Sequence, residues 1–238
     1  MKGLSLFSGI GGIDVALSDW VNPIAYCEID PYCQSVLLQR MQEGNLPKAP
    51  IWDDIRTLPT DELPTIDIIY GGFPCTDISI NGKRKGLQGK ESGLFFEVIR
   101  LSKEVNPQFI FLENTKGILS KGGIEVMEAL ASLGYNARWI TTSCKEVGSP
   151  QNRERWFCLA YSNSEDGSRL QVGKKSTVSE LRKCVEYEKW NDWPEDESAL
   201  LGVDDVISSR VDRIKALGNS VCVPQVREAF KLLMGLNL

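Results

Sequence analysis

The chain has no histidine among its 238 residues. The side chain that titrates most readily near neutral pH is therefore missing, and so is the commonest metal ligand. Cysteine does not fill the gap. Cys27, Cys33, Cys75, Cys144, Cys158, Cys184 and Cys222 are scattered, and no CxxC pair occurs. This speaks against a zinc site, and no metal is expected. An odd cysteine count also argues against a disulfide framework, so a reducing cytoplasm is the expected setting. No apolar run approaches the roughly 18 residues of a membrane span, and no membrane partner is expected. Met1-Lys2-Gly3-Leu4-Ser5-Leu6-Phe7 is basic and then apolar, but the run stops at Ser8-Gly9. It reads as a first buried strand and not as a signal peptide.

A basic surplus is absent too. Lysine and arginine number 27 against 32 acidic residues, for a net charge of −5. A surface that is cationic throughout is excluded, whereas positive charge gathered on one face is not. Lys83-Arg84-Lys85 with Lys90 is the densest basic cluster, and Arg153 with Arg155 is a second. By themselves such clusters read more readily as solvated loops than as a binding face. What is present is ordinary for a globular chain: 42% hydrophobic and 25% charged residues. That is enough for one large domain with a sizeable core.

Apolar strands alternate with amphipathic helices along most of the chain. Strands are expected at 4–7, 23–28, 67–70, 109–112, 135–143 and 156–161. Helices are expected at about 12–19, 31–41, 93–105, 123–133 and 224–233. The alternation predicts an α/β fold with a mostly parallel sheet covered by helices on both faces. Composition changes at Ser162. From there to Ala199, acidic side chains outnumber basic ones and branched aliphatics are sparse. Three stretches result: a catalytic and cofactor-binding domain at 1–161, a linker or reduced recognition region at 162–206, and a segment at 207–238 that returns to the first.

Five places carry chemistry. Phe7-Ser8-Gly9-Ile10-Gly11-Gly12 joins a strand to a helix, where glycines let a ligand approach backbone N–H groups. Glu28 ends the second strand, where a carboxylate can take both hydroxyls of a ribose. Asp54, beside Ile55, follows a third strand, where it can accept from an adenine amino group. Together they outline a nucleoside site. Second, Gly71-Gly72-Phe73-Pro74-Cys75 follows a buried strand and presents a thiol at its carboxyl end. Third, Glu113-Asn114 directly follows a buried strand, so desolvation should raise the carboxyl pKa and let it share a proton near neutral pH. Fourth, Gln151-Asn152-Arg153-Glu154-Arg155 puts two guanidiniums on one strand face, suited to an anion or a carbonyl oxygen. Fifth, Gly218-Asn219-Ser220-Val221 forms a turn into the last helix.

With these motifs in this order, the chain resembles the DNA (cytosine-5)-methyltransferase family. The resemblance covers about 1–161 and 207–235. It implies a Rossmann-like S-adenosyl-L-methionine-dependent methyltransferase fold and methylation of cytosine C5 in double-stranded DNA after base flipping. It implies Cys75 as the nucleophile, Glu113 as the carboxyl at N3 and the amino group, and Arg155 at O2. Arg153 would support the loop or a phosphate. It places Phe7, Ser8, Gly9, Gly11, Gly12, Glu28, Ile29, Asp54, Ile55, Pro74, Asn219 and Ser220 around the cofactor. Ser79 to Glu91 matches the family's mobile catalytic loop, with Ser79, Lys83, Arg84 and Lys85 as DNA contacts. Thr76, Thr115 and Ile29 depart from the residues usual at those positions, and none of the departures removes a reacting group.

The region between the arginine motif and the Asn219 turn is short for a target-recognition domain. Either it is a reduced recognition element, or a partner chain supplies specificity. Such small chains resemble enzymes of phage or prophage. Three other readings stay open: a cytosine methyltransferase acting on tRNA, a non-catalytic DNA-binding relative, and a dinucleotide-dependent oxidoreductase. The missing GxGxxG pattern weighs against the last.

Overall fold

The computed structural model describes residues 1–74, 94–162, 212 and 215–236. Seven strands form one sheet: β1 (Lys2–Leu6), β2 (Asn22–Cys27), β3 (Ile51–Trp52), β4 (Ile68–Gly72), β5 (Phe109–Thr115), β6 (Tyr135–Ser143) and β7 (Glu154–Ser162). The helices are α1 (Gly12–Leu17), α2 (Pro31–Gln42), α3 (Leu94–Val105), α4 (Ile118–Lys121), α5 (Gly123–Ser132) and α6 (Val223–Met234). Local chemistry sets several ends. The Asp30 side chain accepts from the Tyr32 and Cys33 amides and so caps α2, with Pro31 in the first turn. Gly235, at φ 69, closes α6.

The strand order is β3-β2-β1-β4-β5-β7-β6. Pairing is parallel from β3 through to β5. Strand β7 runs antiparallel to both β5 and β6. The reason is the connection: β6 and β7 are joined by the short stretch 144–153, which contains no crossover helix. Strand order reverses between β1 and β4, and in such sheets ligands bind in the crevice beyond the strands' carboxyl ends at that point. The amino end of β7 lies on the same edge, because Arg155 pairs with Thr115 at the end of β5.

Strict alternation along the central strands separates two cores. Ile69, Ile110, Leu112, Trp156 and Cys158 pack with Phe95, Val98 and Leu101 of α3 and with Val126 and Leu130 of α5. On the opposite face, Ile68, Tyr70, Phe109, Phe111, Phe157 and Leu159 pack with α1 and with Val226, Ala229, Phe230 and Leu233 of α6. Phe230 meets Phe111 edge-on at 5.1 Å between ring centroids. Burial of one such ring contributes about 1.5–3 kcal/mol. Helix α6 thus seals the face of α1 and carries the preceding turn back to the crevice. Among the described residues, no helix is long and apolar enough to cross a membrane.

Candidate active site

The loop after β1 turns with left-handed backbone at Phe7 (φ 51), Gly9 (φ 53) and Gly11 (φ 83). Phe7 has no glycine freedom, so its conformation costs of the order of 1 kcal/mol. Glu28 holds this loop. Its carboxylate accepts from the Gly9 amide at 2.6 Å and from the Asp30 amide at 2.8 Å. The loop and the end of β2 are therefore one unit, and Glu28 is buried within it.

Strand β4 ends in two glycines with different reasons. A Cβ on Gly71 would lie 2.0 Å from the Leu6 carbonyl oxygen, so β1 could not approach. A Cβ on Gly72 would lie 2.6 Å from Glu113 Oε2. The Glu113 carboxylate thus rests against the space that Gly72 leaves open. Arg155 Nε stands 2.8 Å from Glu113 Oε1, and the two side chains are only 16% and 11% exposed. Burial pushes the Glu113 carboxyl up from its ordinary value, while Arg155 and Arg153 pull it back in part.

Asn114 donates to the Phe73 carbonyl at 2.9 Å. This bond fixes the chain two residues before the cysteine loop. Cys75, Ser79, Lys83, Arg84 and Lys85 lie outside the described residues, as does most of the stretch 162–206.

Arg153 reaches the C-terminal segment. It donates to the carbonyls of Gly218 at 3.0 Å and Ser220 at 2.6 Å. Its backbone carbonyl in turn accepts from the fully buried Gln225, which also bonds the Thr142 carbonyl at 2.8 Å. The Asn219 turn is thereby tied to the start of β7.

These elements enclose a cavity of about 450 Å³, within the range of small-ligand sites. Phe7, Ser8, Gly9, Gly12, Glu28 and Ile29 line its β1–β2 half. Gly72, Pro74, Glu113 and Arg155 line the half beyond β4, β5 and β7, and Arg153, Asn219 and Ser220 lie along it. Gly11 sits just behind, its α-carbon facing Leu46 and Leu37. Two expected cofactor residues, Asp54 and Ile55, are not among the residues that line this cavity. Asp54 caps the 3-10 turn Ile55–Thr57 and pairs with Arg56 at 2.6 Å. Ile55 is 4% exposed and belongs to the α3 core. The sequence reading assigned no role to Asn114, Gln225, Asp30 or Lys215. A signal existed for Gln225, a polar residue on the apolar stripe of α6. Among the described residues, no group of three or more His, Cys, Asp or Glu could hold a metal ion.

Comparison with known families decides the assignment. The family model for the C-5 cytosine-specific DNA methylase matches residues 1–205. The chain belongs to this family. Among its relatives, the Type II methyltransferase M.CviJI of Paramecium bursaria Chlorella virus IL3A is 31% identical over 229 residues, covering 95% of this chain and 58% of that protein. The Type II methyltransferase M.Bsp6I of Bacillus sp. (strain RFL6) is 35% identical over 174 residues, covering 68% of this chain and 52% of the relative. The chain thus spans little more than half the length of these C5 methylase relatives. Among solved structures, the S. pombe Dnmt2 methyltransferase matches with a TM-score of 0.61 and 22% identity, over 88% of this chain and 63% of that one. This last likeness concerns the fold, and it agrees with the expected methyltransferase-type sheet.

Proposed function

We propose that this C5 methylase transfers a methyl group from S-adenosyl-L-methionine to C5 of cytosine in double-stranded DNA. The observation that carries the reading is the buried Glu113–Arg155 pair, set in the cavity wall beside the strand that leads through Pro74 to Cys75. A carboxyl with a raised pKa beside a guanidinium suits the N3–C2–O2 edge of a pyrimidine, which needs a proton donor and a cation together.

The other half of the cavity fits the cofactor. Glu28 offers a carboxylate at the end of β2, and Ile29 beside it is 62% exposed, an apolar side chain with its face open. Phe7, Gly9, Gly12, Asn219 and Ser220 supply the rest of the wall. When bound, S-adenosyl-L-methionine supplies a methyl group made electrophilic by its sulfonium.

The chain's own residues make the acceptor reactive. The Cys75 thiolate adds to C6 of the flipped base, and the C5–C6 π pair shifts to make C5 nucleophilic. Glu113 protonates N3, and Arg155 holds O2 as negative charge develops there. After transfer, the C5 proton leaves to water or through a relay of small residues, since the chain has no histidine to take it. The electron pair then re-forms C5–C6, the Cys75 S–C6 bond breaks, and Glu113 recovers its proton. Lys83, Arg84 and Lys85 would meet phosphates around the flipped base. Target choice belongs to the stretch 162–206 or to a partner chain.

The test is transfer of labelled methyl from S-adenosyl-L-methionine to duplex DNA, with tRNA alongside. The reading expects label in DNA, a covalent adduct with 5-fluorocytosine DNA, and loss of both in Cys75→Ser. Label in tRNA alone moves the substrate to RNA. Cofactor binding without an adduct supports the non-catalytic alternative.

A further inference from the structure

The cavity has a wall that the sheet does not hold. Residues 28–30 follow β2, and the helical turn 215–219 comes from the other end of the chain. Lys215 Nζ and Asp30 Oδ2 join them in an ion pair at 2.8 Å, across 185 positions. Both residues line the cavity.

Asp30 is tied on both sides. Its Oδ1 caps α2 through the Tyr32 amide at 2.9 Å and the Cys33 amide at 3.4 Å. Its own amide donates to Glu28 Oε1 at 2.8 Å, and the other oxygen of Glu28 holds Gly9. The Lys215 ammonium holds the Asp30 carboxyl below the usual carboxylate range. The turn that carries Lys215 is fixed farther along by Arg153, through Gly218 and Ser220. A continuous path therefore runs from Arg153 through the turn to Lys215, Asp30, Glu28 and the loop of Gly9. Ile29, between the two anchored carboxylates, is the exposed apolar face of this wall.

We propose that Asp30 and Lys215 form a clasp that holds the nucleoside half of the cavity in its binding shape, and are positioning residues for the cofactor. The proposal rests on the cofactor reading above. Neither side chain needs to touch the ligand. The clasp sets the distance between the Glu28–Ile29 wall and the Asn219 turn before the ligand arrives, so less ordering remains to be done on binding.

Two substitutions separate the clasp from the helix cap. Asp30→Asn keeps an equally good cap and loses the charge. Lys215→Met keeps the aliphatic stem and loses the ammonium. Calorimetric titration of the full chain with S-adenosylhomocysteine is expected to give a Kd raised about three- to fivefold in each, the scale of a partly exposed ion pair. The double variant is expected to be no weaker than either single one. In turnover, the change falls on KM for S-adenosyl-L-methionine and not on kcat, and Lys215→Arg restores it. The gap from the unsubstituted protein narrows at about 1 M salt, where the Debye length is roughly 3 Å. Single variants that bind as the unsubstituted protein does, or effects that simply add in the double variant, overturn the clasp. An unsubstituted chain that takes up no S-adenosylhomocysteine overturns the cofactor reading and the clasp with it.

Discussion

Asp14 lies in α1 at 2% exposure, with the Tyr70 hydroxyl donating to its Oδ1 at 2.8 Å. Its Oδ2 has no hydrogen-bond partner among the described residues. Burial raises its pKa from 3.8 to about 6, against smaller opposing effects of Tyr70, Ser5 and Arg40. The consequence is a pH-dependent cost of folding. Below pH 3.8 the carboxyl is protonated in both states and costs nothing extra. As pH rises through the window from 3.8 to 6, the unfolded chain gives up the proton before the folded one does, and stability falls. Above it the full cost applies, about 3 kcal/mol at roughly 1.4 kcal/mol per tenfold change. About half of that accrues between pH 5 and pH 8.

Asp14→Asn removes the titration and keeps an acceptor for Tyr70. Its amide replaces an unpartnered oxygen with an unpartnered donor, which costs about 1–3 kcal/mol at every pH. The pH-dependent part is therefore the clean observable. Urea unfolding of both proteins at pH 5, 6, 7 and 8 should show the variant gaining about 1.5 kcal/mol relative to the parent across the series. A difference that stays flat over that range refutes the argument, because Asp14 would then titrate alike in both states.

Glu113→Gln should retain S-adenosylhomocysteine binding and lower methyl transfer about a hundredfold or more, read in a labelled-methyl assay. Gly72→Ala places a Cβ 2.6 Å from Glu113 Oε2, and a comparable loss of kcat, about a hundredfold, should follow from displacing that carboxylate. Gln225→Leu removes the side-chain donor to the Thr142 carbonyl and one of two donors to the Arg153 carbonyl, which keeps the Cys144 amide, and a loss of about 1–3 kcal/mol in chemical denaturation is expected. Phe230→Ala should cost about 3–5 kcal/mol by the same measurement, because the ring is fully buried between α6 and β5.

The central strands β4 and β5 were legible because their apolar runs are unbroken. Ile68-Ile69-Tyr70 and Phe109-Ile110-Phe111-Leu112 are buried on both faces, and nothing but a central strand suits such runs. The direction of β7 was not legible, since side-chain alternation reads the same forwards and backwards. Asp54 is a position that a local reading leaves open. A carboxylate just past a strand can serve a ligand or cap the next turn, and here its bonds go to Arg56, only two residues away. Arg153 lies beyond such a reading. Its carbonyl partners are 65 and 67 positions distant, and no spacing rule reaches that far. Glu113 was the easiest residue to place, because a carboxyl so close to four buried apolar residues has little choice but desolvation; the strand in fact runs on through it to Thr115.

The reversed strand β7 has a consequence for a chain made from its amino end. Strand β7 sits between β5 and β6, although it is made after both. Until residue 162 has emerged, the edge of β5 has no permanent neighbour, and β6 has none at all among the strands of the sheet. Synthesis from the amino end therefore leaves the β5 side of the sheet open until its seventh strand arrives. The strand that closes the sheet is the one that brings Arg155 to Glu113. A nascent chain can hold the cofactor-side loop early, but it completes its reactive pair only when its last gap is filled.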